Sequence, residues 1–355
     1  MKDKLTHKII NSQDRTCPIC FSNQGHYLTI GNHIKILRCN QCSMVFADVN
    51  ETTVEKACKY EGEKILTYYQ NEPIYTIAYY DMVIEKIIKV FEKTNLKILE
   101  FGCGSGMFLR RARKKGLITQ GVDFSKYSSY ASKAFNLDIL NLDIYACHFP
   151  SNHFDVIYSH ATFEHLYAPL KVSEELIRIL KPGGLFIISG VPNYNTLSIQ
   201  LFHNFHNNYP PGHINYFECK TITYMYNVLG LKKIQVSTYG FNIWFLLHLL
   251  KIGTTAIHLR SNKLLRCILG TQRHDSSKRE QNPQVKLETE NKNKSEHIKE
   301  NEEMKEVIYK LRHNVKDLDN ISISFYQKLV ANIYYTIRLP RMGLAVSAWG
   351  FKPKS

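Results

Sequence analysis

The sequence is poor in several things. Its 355 residues hold two tryptophans and eleven prolines. It has no run of eighteen apolar residues, so no stretch reads as a transmembrane helix. The opening residues, MKDKLTHKIINSQDRTC, lack the apolar segment of a signal peptide, so a cytoplasmic location is expected. No Gly-X-Y or heptad repeat runs along the chain, which excludes collagen-like and coiled-coil rods. Acidic residues are scarce: 31 Asp and Glu face 46 Lys and Arg, a net charge of +15. That charge suits an anionic substrate, nucleic acid or an anionic membrane surface, and says nothing about fold. Residues 251–355 hold 20 Lys/Arg and 11 Asp/Glu, so 9 of the excess lies there, remote from the motifs below.

What is present is ample apolar material. Hydrophobic residues make up 44% of the chain, enough for a real core and too many for a wholly disordered protein. The length suggests two domains, or one large domain with additions.

Cysteine is used unevenly. Four of the nine cysteines form two pairs, Cys17-Pro-Ile-Cys20 and Cys39-Asn-Gln-Cys42. In a reducing compartment such pairs point to metal more often than to disulfide. Between them Tyr27 to Arg38 reads as a hairpin with its turn at Gly31-Asn32. Two knuckles joined by a hairpin bring four thiolates into a tetrahedron that suits Zn2+. Four thiolates leave no open position for a substrate, so Cys17, Cys20, Cys39 and Cys42 are expected to be structural ligands. The plain alternative is four buried or redox cysteines.

From residue 97 strands and helices alternate, which implies a parallel sheet. Strands are expected at 97–101, 118–124, 137–143, 154–160, 185–191 and 232–240. Between them helices are expected at 106–116, with a basic outer face, then from Ser125 to Phe135, from Pro169 to Leu180 and from Glu218 to Leu229. A helical lead-in covers 60–96. A last short strand is expected at 344–351. Between 241 and 340 stand the apolar run FNIWFLLHLL (241–250), a polar stretch at 271–304 read as disordered, and a helical pattern at 306–339. The apolar run either packs over a pocket or lies against anionic lipid. The expected organisation is a tail at 1–16, a zinc module at 17–46, a helical lead-in at 47–96 and a core at 97–240. An insertion at 241–340 and a closing strand and tail at 341–355 complete it.

The sharpest motif is Glu100-Phe101-Gly102-Cys103-Gly104-Ser105-Gly106, between a strand and a helix. Glycines let the backbone turn sharply and approach a ligand, and a helix N-terminus adds N–H donors. Asp123 stands at the end of the second strand, where an acid can take both ribose hydroxyls. Asp143 ends the third. All lie at the carboxyl ends of strands, the edge where open α/β sheets bind ligands. Cys103 reads as a small buried residue in the turn.

The runs LEFGCGSG, GVD, FDVIYSHATFEHL and LKPGGLFIISGVPN together resemble the class I S-adenosylmethionine-dependent methyltransferase family, over roughly residues 95–240. The resemblance implies a doubly wound, seven-stranded, mostly parallel α/β sheet whose last strand is antiparallel and inserted beside the sixth. It implies S-adenosyl-L-methionine as cofactor. Gly102, Gly104 and Gly106 would wrap the methionine and ribose, Glu100 would orient the loop or meet the ammonium, and Asp123 would hold the ribose. Phe124 counts among the cofactor residues, and Asp143 would reach the adenine amino group. Ser159, His160, Glu164 and His165 would wall the cofactor and face the acceptor.

The cysteine module narrows the likeness to sugar C-methyltransferases and related glycan and natural-product enzymes. Those carry a His-x-x-Tyr-Phe-like stretch, matched by His213-Ile214-Asn215-Tyr216-Phe217. The chain departs from them upstream, where Tyr209-Pro210-Pro211-Gly212 replaces a Tyr-His-Glu run, so oxygen is as good an acceptor atom as carbon. An alcohol acceptor needs a general base. His213 is the first candidate and His165 the second; His203 and His206 read as polar loop residues. The acceptor implied is a nucleotide sugar or a glycan or lipid intermediate, with nucleic acid not expected as a partner and peripheral membrane contact open. The other readings are an RNA methyltransferase, which the zinc module and charge would suit, and a non-catalytic scaffold of the same fold.

Overall fold

The computed structural model describes residues 9–11, 15–31, 33–56, 74–196, 199, 210–239 and 345–354, all in one unit formed by residues 1–241 and 323–355. His203, His206, the apolar run at 241–250, the polar stretch at 271–304 and the helical pattern at 306–339 lie outside the described residues.

The N-terminal segment builds a small antiparallel sheet from β1 (Ile9–Asn11), β2 (Gln24–Gly31), β3 (Ile34–Cys39) and β4 (Val45–Ala47). The hairpin falls where expected, with Gly31 opposite Ile34. Two features depart from the expected organisation. Residues 9–11 are a strand paired with 24–26 and not part of a tail. The sheet also does not end with its own module: a strand from far down the chain closes it, as described below.

Helix α1 (Ile74–Phe91) buries Ile77, Tyr80, Ile84 and Ile87, a stripe at three- and four-residue spacing. It leads into β5 (Lys97–Phe101), α2 (Met107–Lys114), β6 (Ile118–Val122) and α3 (Lys126–Phe135). Then follow β7 (Ile139–Leu140), β8 (Phe154–His160), α4 (Pro169–Ile179) and β9 (Leu180–Pro192). The last elements are β10 (Asn215–Tyr216), α5 (Cys219–Val228), β11 (Lys232–Tyr239) and β12 (Ala345–Phe351). The large sheet runs β11-β12-β9-β8-β5-β6-β7. Its β7, β6, β5, β8 and β9 are parallel, and β12 is antiparallel to both its neighbours. The chain winds outward from β5 to β7, then returns to β8 on the other side of β5, so the order reverses between β5 and β8. Ligands of open α/β sheets bind at such a reversal.

Three local expectations change. The third strand is cut to Ile139–Leu140, because the Asn141 amide donates to the Asp123 and Ser125 carbonyls at 2.8 Å and turns the edge away. The fifth strand begins earlier: Leu180 pairs with Phe154, the chain bulges through Lys181-to-Gly184, and pairing resumes at Leu185. The basic face of α2 does not simply face water. Arg110 is 3% exposed with its guanidinium over the Phe135 ring, Arg111 is paired with Asp81 of α1, and Arg113 donates to the carbonyls of Phe135 and Asn136. These cations tie α2 to its neighbours.

The small sheet takes its last strand from the segment between β9 and α5 of the larger fold. Strand β10 pairs antiparallel with β4, Asn215 opposite Phe46 and Tyr216 opposite Val45. The stretch that carries His213 is thereby the outer strand of the cysteine-bearing sheet. No helix among the described residues is long and apolar enough to cross a membrane.

Candidate active site

The glycine loop turns where β5 stops. Gly102, Gly104 and Gly106 have φ of 75°, 46° and 67°. A Cβ at Gly102 would sit 2.3 Å from Thr162 Oγ1, and one at Gly106 would sit 2.4 Å from a Leu137 methyl. Only glycine meets both the conformation and the crowding there. The loop then opens α2 at its N-cap, Gly106. Cys103 packs inward, its sulfur 2.8 Å from where a Gly121 Cβ would stand. Burial, with Asp123 and Glu100 nearby, pushes its thiol well above the ordinary range, so it is no nucleophile.

Asp123 follows β6 and is half-buried. One carboxylate oxygen accepts from Gly104 N and the other from Ser125 N, both at 2.8 Å. Each oxygen keeps a lone pair, so the acid shapes the loop and can still take a diol. Glu100 is 3% exposed at the end of β5, beneath the loop. Asp143 is exposed and caps its own turn, accepting from Tyr145 N at 2.9 Å. Phe124 and Leu142, each beside one of these acids, are 66% and 45% exposed. Ser159 is placed differently from the expectation. It is fully buried and donates to the Phe101 carbonyl at 2.9 Å, bracing β8 against the end of β5.

The turn after β8 abuts the glycine loop through Thr162. Two residues on, Glu164 is buried and its carbonyl accepts from Ile214 N and Asn215 N at 2.9 and 3.1 Å. The Asn215 amide donates to the Phe163 and Leu166 carbonyls, both at 2.7 Å. These bonds lay the 212–215 segment across the 163–166 turn. His165 then donates from Nδ1 to the Gly212 carbonyl at 2.8 Å, which leaves its Nε2 3.9 Å from Glu164 Oε1. The His165 and His213 rings meet edge to face, centroids 4.7 Å apart at 89°. Ligand atoms of Glu164, His165 and His213 all lie within 4.8 Å of one another.

His213, the first candidate for a general base, packs beside His165, the second. Burial, then the neighbouring His165, lower its pKa to about 3, and its buried Nδ1 has no hydrogen-bond partner. His160 is likewise lowered to about 4 by burial, with Nδ1 at 2.9 Å from Ser189 Oγ and its ring packed by Tyr79, Tyr80 and Tyr158.

One residue that holds this site gives no signal in the sequence. Arg15 is 4% exposed. Its Nη1 donates to the Ile214 carbonyl at 3.2 Å. Its Nη2 faces the Leu166 and Tyr167 carbonyls and Asn215 Oδ1 at 3.2, 2.6 and 2.7 Å. It lies two residues before Cys17 and clamps both loops that carry the histidines.

The cysteines converge. Cys17 and Cys42 sulfurs are 3.4 Å apart, as are those of Cys20 and Cys39, and all four lie within 4.8 Å. The two knuckles match. Phe21 and Ser43, each directly after a pair, have φ of 60° and 64°, and their N–H groups return to the Cys17 and Cys39 carbonyls at 3.0 and 3.1 Å. Thiolates on a zinc tetrahedron stand ~3.8 Å apart, from a Zn–S length of ~2.3 Å, so this set fits a structural ion.

The strand-order reversal, the glycine cradle and an acid after the second parallel strand define a site for a nucleoside-bearing cofactor. Residues 99–188 match the family model of the methyltransferase domain. Over 113 residues the chain is 30% identical to a malonyl-[acyl-carrier protein] O-methyltransferase of Buchnera aphidicola, covering 31% of this chain and 44% of that one. Over 127 residues it is 30% identical to a sterol 24-C-methyltransferase of Gibberella zeae, covering 33% of each. A solved S-adenosylmethionine-dependent methyltransferase of Archaeoglobus fulgidus aligns over 77% of this chain and 94% of its own, at 13% identity and a TM-score of 0.40. The chain spans less than half the length of the curated relatives it matches. The large sheet extends beyond the matched segment through β11 and β12.

Proposed function

We propose that the protein is an S-adenosyl-L-methionine-dependent methyltransferase of a small acceptor bearing a hydroxyl group, in the range of a nucleotide sugar or a glycan or lipid intermediate. The observation that carries the cofactor is the pairing of Gly104 N with Asp123, which sets glycine loop and acid at one sheet edge. Gly102, Gly104 and Gly106 line the methionine and ribose, with Glu100 supporting the loop beneath. Asp123 accepts from the ribose hydroxyls. Exposed Phe124 and Leu142 would cover an adenine, with Asp143 beside its amino group.

Methyl transfer is an in-line displacement, so most of the catalysis is alignment. The acceptor hydroxyl gives its proton to water and its oxygen forms a bond to the methyl carbon as the C–S bond breaks, and that electron pair leaves with sulfur as S-adenosylhomocysteine. Glu164, His165 and His213 receive the acceptor hydroxyl beside the glycine loop. The acceptor class rests on the His213-to-Phe217 stretch and the cysteine module. Cys17, Cys20, Cys39 and Cys42 would hold Zn2+, which fixes the small sheet and takes no part in the reaction.

The test is calorimetric titration of the zinc-replete protein with S-adenosylhomocysteine. Losing two charge-assisted bonds in Asp123→Ala costs about 3 kcal/mol, so affinity should fall roughly a hundredfold. Well-folded wild-type protein that fails to bind overturns the assignment.

A further inference from the structure

The geometry points to a second cation centre, a site for one first-row divalent ion held by Glu164, His165 and His213. One carboxylate and two imidazoles within 4.8 Å of one another form a nitrogen–oxygen ligand set, chemically distinct from the four sulfurs of the cysteine module. Zinc, manganese, iron(II) and cobalt all suit it.

The tautomer is already selected. A carbonyl can only accept, so the contact with Gly212 places the hydrogen of neutral His165 on Nδ1 and the lone pair on Nε2, the nitrogen that faces Glu164. A carbonyl behind the far nitrogen is the usual outer support of a metal-bound histidine. His213 enters edge to face and keeps a buried ring nitrogen without a hydrogen-bond partner.

The backbone is fixed as well. Glu164 O, Asn215 and Arg15 lock the two ligand-bearing turns together, so the site is assembled before any ion arrives. One side stays open: the His165 side chain is 27% exposed whereas Glu164 is 3% exposed. Three protein ligands with an open face leave positions for a substrate oxygen.

Thr162, two residues before Glu164, packs on Gly102, so the ion would lie beside the cofactor loop. An acceptor hydroxyl bound to it gives its proton to water more readily. The oxygen then attacks the methyl carbon as the C–S pair leaves with sulfur. This role rests on the methyltransferase reading; the binding of the ion does not.

The probe is Mn2+, which soft thiolates do not favour, titrated into the zinc-replete full chain and followed by electron paramagnetic resonance of the free ion. The expected result is one Mn2+ per chain, with affinity at least ~10-fold weaker in His213→Gln and His165→Gln. Both variants should still unfold in one cooperative transition and bind S-adenosylhomocysteine, so that lost Mn2+ binding is not lost fold. Glu164 is left intact because it is buried. No saturable Mn2+ binding below about 1 mM, or equal binding in both variants, overturns the site. If cofactor binding persists in that case, the methyltransferase reading stands and His165 alone meets the acceptor. Saturable Mn2+ binding lost in the variants, with no cofactor binding by wild type, keeps the cation site and removes the methyltransferase reading.

Discussion

Arg15→Met tests the claim that the cysteine module and the histidine loops form one structure. The substitution keeps an apolar stem of similar length and removes the guanidinium. Three of its N–H groups are committed, one from Nη1 and two from Nη2, to four acceptors on residues 166, 167, 214 and 215. Burial lowers its pKa to about 10, so it remains a cation at neutral pH. The planar group also lies 5.2 Å from the Tyr167 ring. At about 1.5 kcal/mol net for each charged bond, the loss is about 4–5 kcal/mol. With a urea slope of ~3 kcal/mol per molar, the unfolding midpoint should fall by ~1.5 M. Amide exchange at Ile214 and Asn215, whose N–H groups bond Glu164 O, should accelerate in the same variant. Arg15→Lys should recover only part, because an ammonium cannot span four acceptors. A loss below about 1 kcal/mol, or unchanged exchange at those two amides, refutes the clamp.

Other outcomes follow from the same geometry. Gly102→Ala must adopt φ near 75° and push its Cβ into Thr162, so S-adenosylhomocysteine affinity should fall by ~100-fold or more in calorimetry. Burial holds His160 at about 4, below its ordinary 6.5. The unfolded chain therefore takes up a proton that the folded chain refuses between those values. Stability present above about pH 6.5 should be lost toward pH 4, at up to ~1.4 kcal/mol per pH unit, and His160→Gln should flatten the slope in urea titrations at stepped pH. Cys39→Ser should lower zinc affinity at least ~100-fold, read by metal analysis after dialysis against a chelator. Because β4 pairs with β10, it should also loosen amides at 45–47 and 215–216 together.

Much of this protein was legible in the chain itself. The strand–glycine–helix passage at 97–114, the acid after each following strand and the two cysteine pairs are local patterns, and a few φ angles and short contacts carry them out. The parallel order followed from alternation. The antiparallel last strand at 345–351 followed from the family likeness, and β12 lies between β9 and β11 as that likeness implied. Tertiary structure decided the rest. Arg15 gave no signal because its partners stand 151 to 200 residues away. The union of the cysteine sheet with 215–216 depends on a two-residue strand too short to carry a period. Ser159 turned inward and Arg110 was buried because neighbouring elements, not their own segments, supplied a carbonyl and an aromatic ring. Most consequential is His213: its residue type suggested a base, and only packing sets it edge to face with His165, where burial lowers its pKa. Sequence fixes which groups exist at which spacing; only packing sets their solvation, and solvation decides their chemistry.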